Sequence, residues 1–217
     1  MVNARGGVNG GQIELVSLDD KNERKTAGAN AKTLLESKNL VALFGFASAT
    51  LSLDAIPQAE AKGVTFFAPF SGANPVRVNS PERSRMLPTS SLSFVGGDQY
   101  AKAVGEAGAG VSIAQVVPNP SSSIPVVREC AKALEAAGSK SAMNTTQLEA
   151  CLGAKVLTEA IRRAKRPVNA KSVLEALTNF GSYELGGFTV EFNPTDHHGS
   201  SFVELARLSK DGRLLTR

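Results

Sequence analysis

Residues 40–73 read LVALFGFASATLSLDAIPQAEAKGVTFFAPFSGA, and their pattern decides the fold class. Two continuous apolar runs, residues 40–44 and 64–67, are typical of strands buried in a parallel sheet. Each run ends in a short loop, and residues 50–61 between them have helical spacing, with Gly63 as a C-terminal stop. The stretch therefore predicts a strand–helix–strand unit with a right-handed crossover.

The same alternation continues outward in both directions. Residues 12–17 predict a strand and residues 21–38 a helix. Ile13, Leu15 and Val16 are expected to be buried in that strand. Further along the chain the pattern predicts strands over residues 92–95, 111–117, 188–192 and 202–208, and helices over residues 97–106, 123–137, 145–164 and 169–179. Together these elements predict an α/β fold, a three-layer αβα lobe with a mostly parallel sheet.

Size and composition exclude several classes of protein. The chain has 217 residues, a net charge of +4, 42% hydrophobic and 20% charged residues, which are ordinary values for a globular domain. No stretch approaches the ~20 apolar residues of a membrane helix. A basic run at residues 162–166 falls late in a predicted helix, where cations complement the helix dipole. No zinc-finger, base-stacking or RNP-like motif accompanies it, so nucleic-acid binding is not expected.

Several motifs carry a family resemblance. Residues 2–20 read VNARGGVNGGQIELVSLDD, residues 44–50 read FGFASAT and residues 69–73 read PFSGA. Together with SFVGGDQYAKAVGEAGAGVSIAQVVPNP from Ser93 onward, they resemble the periplasmic ligand-binding proteins of branched-chain amino-acid ABC transporters. Those proteins typically carry NAxGGVNG, FGxxxS/T and PFT/SGA. The resemblance covers most of the chain and implies a flavodoxin-like, type I periplasmic-binding lobe.

The resemblance also implies that parts of the family fold are absent. Roughly a whole second lobe is expected to be missing between Arg85 and Ser91. Met1 is followed directly by VNARGG, without a signal peptide or the family's first strand and helix. An engineered chain, a mature fragment or a truncated gene would each begin in this way. The expected organisation is the first part of lobe one over residues 2–78, a linker over 79–91, the second part of lobe one over 92–180 and a β-hairpin tail over 181–217.

The missing first strand usually lies in the middle of the sheet, where a gap leaves unpaired backbone groups. Three arrangements that would pair these backbone groups stay open. The sheet reorders, the tail strand over residues 202–208 fills the gap, or a second chain supplies a strand. The third arrangement gives a homodimer by strand exchange.

The loops after the two apolar runs are the candidate binding site, because ligands of open α/β sheets bind beyond the carboxyl ends of the strands. The resemblance implies that they hold the α-carboxylate and α-ammonium of an amino acid through backbone groups and a hydroxyl. The candidate residues are Ala47, Ser48, Ala49, Thr50, Ser71, Gly72 and Ala73. The family's usual Ser/Thr aligns with Ala49, so Ser48 or Thr50 would have to replace it. Alternatively, Ser48 or Thr50 only caps the next helix, which is the interpretation we favour for a truncated chain.

No pattern predicts catalysis or a cofactor. The glycine-rich residues 105–110 follow a helix instead of a strand, so they predict a turn and not a nucleotide loop. His197 and His198 lie beside Asp196, but no third or fourth metal ligand stands at useful spacing, and a solvent-exposed turn is expected. No nucleophile–base pair is evident, so we expect no enzyme, no metal and no cofactor.

Two cysteines lie about equally far from the middle of a predicted turn between two helices. If these helices pack antiparallel, Cys130 and Cys151 are level with each other. The resemblance implies tyrosine at both places in many relatives. Two buried thiols in contact are the expected outcome. A disulfide is open to them in an oxidising setting if their Cα atoms come within ~7 Å.

The function implied by the resemblance is binding of a small solute without catalysis. The ligand would be Leu, Ile, Val or a related zwitterion or amide, the partner in full-length relatives an ABC permease, and the location periplasmic. The alternative is a truncated or engineered lobe that folds and self-associates without binding ligand.

Overall fold

The computed structural model describes residues 2–71, 76, 83–84 and 97–216. Its helices are α1 (Arg24–Leu35), α2 (Ala49–Ser52), α3 (Ala55–Ala61), α4 (Gly97–Val104), α5 (Pro125–Ala136), α6 (Thr145–Arg163) and α7 (Ala170–Thr178). Its strands are β1 (Ala42–Phe44), β2 (Thr65–Phe67), β3 (Arg83–Ser84), β4 (Ser112–Gln115), β5 (Gly181–Glu184), β6 (Thr189–Phe192), β7 (Glu204–Leu208) and β8 (Leu214–Thr216). The strand predicted over residues 92–95 and most of the predicted linker over 79–91 lie outside the described residues.

A parallel sheet in the order β1-β2-β3 forms the first half of the fold. β1 and β2 pair from Ala42 opposite Thr65 to Phe44 opposite Phe67. Consecutive residues of a strand face opposite sides of the sheet, so Phe66 packs with α1 and α3 while Phe67 packs with α6 and β6. The predicted strand–helix–strand unit and the layered α/β architecture are therefore confirmed.

The single helix predicted over residues 50–61 is wrong, because the chain forms α2 and α3 instead. Pro57 is the third residue of α3. In a continuous helix its ring would clash with the carbonyl of Leu53, and it has no N–H to donate. The chain turns at Leu53 and Asp54, which removes that conflict.

Residues 12–17 do not form the predicted strand. They lie in a run without regular secondary structure, and Leu15 and Val16 are 79% and 52% exposed instead of buried. A cleft of about 620 Å³ is lined by residues 12–16 on one side and by β1 on the other. A strand needs a hydrogen-bonded neighbour about 4.8 Å away, and the cleft leaves this segment without one.

A tight turn anchors the start of that segment to the end of α6. Asn9 and Gly10 have φ angles of 50° and 82°, which asparagine and glycine tolerate best, and Val8 pairs with Gly11 around them. The Asn9 side-chain amide donates to the Arg162 carbonyl at 2.8 Å. The Arg166 guanidinium donates to the Asn9 carbonyl at 2.6 Å. The turn is therefore held in place through both the side chain and the main chain of Asn9.

The helices of the second half begin within two residues of where the sequence predicts. Pro125 is the first residue of α5, where its missing N–H costs nothing. Asn169 caps α7, and its Oδ1 accepts from the Ser172 backbone N–H at 3.0 Å. The glycine-rich residues 105–110 form a 3₁₀ turn after α4, so the predicted turn is confirmed.

The tail forms two antiparallel hairpins, β5–β6 and β7–β8. The strands predicted over residues 188–192 and 202–208 correspond to β6 and β7, while β5 and β8 were not predicted. β7 lies between β4 and β8 in its own sheet. The tail strand therefore does not fill the gap beside β1.

Cys130 of α5 and Cys151 of α6 form a disulfide. Their Cα atoms lie 6.0 Å apart, inside the range that the bond requires. The two cysteines are therefore level on adjacent helices, as predicted, but the expected pair of free thiols is wrong.

The basic run at the end of α6 is engaged with a buried carboxylate. Glu159 is buried, and it accepts from Arg162 Nε at 2.7 Å and from Arg163 Nε at 2.6 Å. Arg163 also donates to the Phe180 carbonyl at 2.7 Å, and its guanidinium carbon lies 4.3 Å from the centre of the Phe180 ring. Arg162 and Arg163 therefore neutralise a carboxylate of their own helix, and Arg163 also holds α6 against Phe180, which follows α7.

Stability should depend on pH through Glu159. Burial raises the pKa of its carboxyl, but the hydrogen bonds and charges of Arg162 and Arg163 outweigh burial, so the pKa lies below the usual 4.5. A depressed folded-state pKa gives stability that is present above the unfolded-state pKa and lost as pH falls through the folded-state pKa. Glu159→Gln should therefore cost about 2 kcal/mol at pH 7, and this difference should shrink below pH 4.5.

Urea unfolding at pH 7, 5, 4 and 3 measures this dependence. Glu175→Gln, on an exposed position of α7, is the matched control and should follow the parent chain at every pH. A Glu159→Gln cost that stays the same from pH 7 to pH 3 would contradict the assignment.

Candidate functional site

The predicted binding loops lie side by side at the carboxyl ends of β1 and β2. Residues 45–50 and 69–71 are called the loop pair below. Ala47 and Phe70 form a parallel bridge beyond the end of the ladder. The Phe70 N–H donates to the Phe46 carbonyl at 2.8 Å, and the Ser48 N–H donates to the Phe70 carbonyl at 2.9 Å. The two loops therefore act as one continuous surface.

A left-handed residue turns each loop away from its strand. Gly45 directly follows β1 with a φ of 73°, and Ala68 directly follows β2 with a φ of 49°. This conformation is free for glycine but costs alanine roughly 1 kcal/mol. The contacts of the surrounding residues offset that cost at Ala68. The fold, and not the intrinsic preference of alanine, therefore sets the backbone conformation of Ala68.

A glycine of α6 supports the loop pair from below. A Cβ on Gly153 would lie 3.1 Å from Cε2 of Phe44 and 3.5 Å from the Cβ of Ala68. α6 can therefore approach closely at the point where both strands end. Gly153 was not among the predicted site residues, although a glycine inside a strongly helical run is a signal of close packing.

Ser48 serves as the cap of α2. Its hydroxyl accepts from the Leu51 N–H at 3.4 Å, and its carbonyl accepts from the Ser52 hydroxyl at 2.7 Å. Its φ of 70° and ψ of 157° lie outside the helical region. The geometry therefore supports the capping interpretation for Ser48, and ligand contact through its hydroxyl stays a prediction.

The remaining candidate residues differ in accessibility. Ala47 and Thr50 are exposed, Ala49 is half-buried, and Ser71 is buried. Within the part of the chain that the structure describes, the Thr50 hydroxyl forms no hydrogen bond, so it is free to meet a ligand. Gly72 and Ala73 lie outside the described residues.

The loop pair carries no charged side chain, because residues 45–53 and 68–71 contain none. An ion pair joins Arg24 of α1 to Asp54, the residue before α3. Arg24 Nη2 lies 2.6 Å from Asp54 Oδ1, and this hydrogen bond lowers the pKa of Asp54. The loop pair therefore offers a ligand only backbone dipoles, hydroxyls and apolar contacts.

The histidine pair is not the exposed turn that the sequence predicts. Asn193 Oδ1 accepts from the N–H groups of Thr195 and Asp196, both at 2.9 Å, and this turn carries His197 inward, where it is buried. His198 Nδ1 lies 2.8 Å from Asp196 Oδ1, and the His198 backbone N–H lowers the pKa of that carboxyl. Among the described residues, no group of three or more His, Cys, Asp or Glu side chains could hold a metal ion.

None of the helices in the described ranges is both long and apolar enough to cross a membrane. The chain thus presents a layered α/β fold, with a neutral surface at the carboxyl edge of its parallel sheet.

Comparison with solved structures agrees with this description. A possible leucine/isoleucine/valine-binding protein from Rhodopirellula baltica SH 1 is similar at a TM-score of 0.88 and 17% identity, over 100% of this chain and 88% of that chain. A substrate-binding periplasmic protein from Ralstonia solanacearum gives a TM-score of 0.82 and 21% identity, over 100% and 91%. An ABC transporter substrate-binding protein from Desulfitobacterium hafniense in complex with Leu gives 0.78 and 16%, over 100% and 92%. At these identities the likeness shows the fold alone.

Comparison at the level of sequence gives the family. No curated protein sequence matches the chain. The family model described as periplasmic binding protein matches residues 1–92 and 85–213, which is most of the chain. The chain therefore belongs to the periplasmic binding protein family.

Proposed function

We propose that this chain is a non-catalytic solute-binding protein for branched-chain amino acids or related small zwitterions and amides. The chemistry of the loop pair carries the proposal. It offers backbone groups and hydroxyls at the carboxyl ends of two parallel strands, where ligands of such sheets bind, and it has no charged side chain. A zwitterion has no net charge, so a surface of neutral dipoles suits it better than it suits a cation or an anion.

Each part of the ligand has an expected contact. Exposed N–H groups of the loop pair and the free hydroxyl of Thr50 would bind the α-carboxylate, and carbonyl groups would bind the α-ammonium. Ser48 would contribute its carbonyl oxygen, since its hydroxyl already caps α2 and its N–H already donates to the Phe70 carbonyl. The proposed contact set is Ala47, Ser48, Ala49, Thr50, Ser71, Gly72 and Ala73.

The structural neighbours support the ligand class. The Desulfitobacterium hafniense protein is described as a complex with Leu, and the Rhodopirellula baltica protein as a possible leucine/isoleucine/valine-binding protein. On the same ground we propose a periplasmic location and delivery of the ligand to an ABC permease.

The affinity should be low because the loop pair is open. Ala47 and Thr50 face solvent, whereas tight small-molecule sites bury roughly 70–90% of the ligand surface. We therefore expect a dissociation constant of about 1 mM or weaker for leucine, which corresponds to roughly −4 kcal/mol.

Titration of the labelled protein with leucine, followed by amide chemical shifts, tests the proposal. Saturable shifts should appear in residues 45–50, and Thr50→Val should weaken binding about tenfold, because it removes a hydrogen bond to a charged group. Thr189→Val, which changes an exposed threonine on β6, is the matched control and should bind leucine as the parent does. Aspartate and lysine should bind more weakly than leucine.

Two outcomes would contradict the proposal in different ways. If 50 mM leucine leaves residues 45–50 unshifted, the binding function is wrong. If leucine binds with micromolar affinity, the open, one-sided site is wrong.

A second candidate function is self-association without ligand binding. The observation that favours it is the exposed apolar segment around Leu15 and Val16, which faces the cleft beside β1. Light scattering after size exclusion separates the two functions, because self-association predicts a dimer whether or not leucine is present.

A further inference from the structure

The cleft beside β1 has the form of a vacant strand position. Among the residues that the structure describes, β1 is the edge of its sheet and pairs with β2 alone. Residues 38–44 and residues 12–16 line the cleft, and Leu34 and Ile161 contribute from the two neighbouring helices. The cleft thus has helices α1 and α6 on its flanks and an unpaired strand edge along its length, which is a template for pairing with another chain.

The segment opposite β1 is itself an unsatisfied strand. Leu15, Val16 and Leu18 are 79%, 52% and 41% exposed. Among the described residues, the backbone groups of residues 14–18 form no hydrogen bond to any other group. Apolar side chains and free backbone groups within one short segment are the properties that drive strand addition.

The anchors of this segment explain why it does not close the cleft within its own chain. The turn at Val8–Gly11 is bound to α6 through Asn9. The Asn3 side chain donates to the Ile13 carbonyl at 2.7 Å and accepts from the Ile13 N–H at 2.9 Å. Residues up to 13 are therefore held on the far wall, while residues 14–18 remain available to a second molecule.

We propose that two copies of this chain dimerise by exchanging this segment, so that residues 14–18 of each copy fill the cleft beside β1 of the other. Charge complementarity selects the direction. The segment ends in Asp19 and Asp20, whereas Lys38 precedes β1 and Arg166 lines the same cleft. An antiparallel arrangement places the partner's Asp19 beside Lys38.

The arrangement is closed by a two-fold axis. In each copy, the segment from the partner lies between β1 and that copy's own segment. The order across the dimer is therefore β1 of the first copy, the segment of the second copy, the segment of the first copy and β1 of the second copy. The same surface is used by both copies, which is the rule for a two-fold interface. In the dimer, β1 and the segment of each copy gain hydrogen-bonded neighbours, and the side chains of Leu15, Val16 and Leu18 are covered.

Sedimentation equilibrium and light scattering of the whole chain from 1 to 500 µM test the proposal. The parent chain should reach twice its 22.7 kDa mass. Val16→Asp should raise the dimer dissociation constant at least about 100-fold, because it places a charge in an apolar cleft. Val203→Asp is the matched control, since Val203 is also an exposed valine outside regular structure, at 57% exposure, and it should change the constant less than about threefold.

Charge reversal tests the direction of the exchanged segment. Lys38→Glu and Asp19→Lys should each weaken the dimer several-fold, and the two together should restore it to near the parent value. Circular dichroism melting confirms that each variant is folded. A chain that stays monomeric at 500 µM, a dimer that Val16→Asp and Val203→Asp weaken equally, or a double variant without restoration would each overturn the proposal. The test needs no ligand, so it is independent of the proposed solute-binding function.

Discussion

Replacing Phe67 by alanine should lower the free energy of unfolding by about 4 kcal/mol, within the range for a large aromatic residue in a packed core. Phe67 is completely buried in β2. Its ring centre lies 6.1 Å from that of Phe44 and 6.3 Å from that of Phe192. It therefore joins the parallel sheet to the tail, and alanine would leave a cavity between two parts of the fold that cannot collapse together easily.

Urea unfolding followed by far-UV circular dichroism measures this loss. Phe202→Ala is the matched control, because Phe202 is half-buried and packs on Phe188 with ring centres 5.6 Å apart. It should cost clearly less, about 1–2 kcal/mol. Equal losses at Phe67 and Phe202 would show that the Phe67 contact between sheet and tail does not hold the fold together.

Opening the disulfide should be the second large effect, at about 3 kcal/mol. The bond closes a loop between residues 21 positions apart, and loops of this length give roughly that stabilisation by limiting the unfolded chain. Cys130 is fully buried, so the free thiols would also lose some of the contact between α5 and α6. The midpoint of urea unfolding should fall in the presence of a strong reductant.

The double variant Cys130→Ala and Cys151→Ala separates the effect of losing the disulfide from any other effect of the reductant. Its stability should match that of the reduced parent within about 1 kcal/mol, and the reductant should not change it further. A parent protein whose unfolding curve is the same with and without reductant would contradict a stabilising role for the bond.

The local patterns of the sequence were enough to predict the central unit of the fold. Residues 40–44 and 64–67 are continuously apolar, and such runs have few alternatives to burial in a parallel sheet. The helix starts at Pro125 and at the Asn169 cap were also predictable, because they rest on the chemistry of one or two residues.

Elements that depend on distant partners were not predictable in the same way. Residues 12–17 have the composition of a strand, but a strand exists only if a neighbour pairs with it. β5 was missed because its residues are mostly exposed and it is stabilised by pairing with β6. The break between α2 and α3 could have been predicted from Pro57, whose effect on the preceding turn is local.

The candidate site shows the same difference between features that depend on neighbouring residues and features that depend on distant contacts. Capping by Ser48 follows from a hydroxyl residue before a helix, and the structure contains that hydrogen bond. The burial of His197 depends on how the Asn193 turn directs the chain, which composition does not indicate. The roles of the loop residues toward a ligand remain predictions.

Cys151 and Gly153 lie two positions apart on α6, so the helix that carries the disulfide also supports the loop pair. The disulfide fixes α6 to α5, and Gly153 sets the distance from α6 to Phe44 and Ala68. Disulfides form in oxidising compartments and not in a reducing cytosol. For a chain that is exported, oxidation would therefore be a maturation step. Until the bond forms, the position of α6 beneath Phe44 and Ala68 would rest on packing alone.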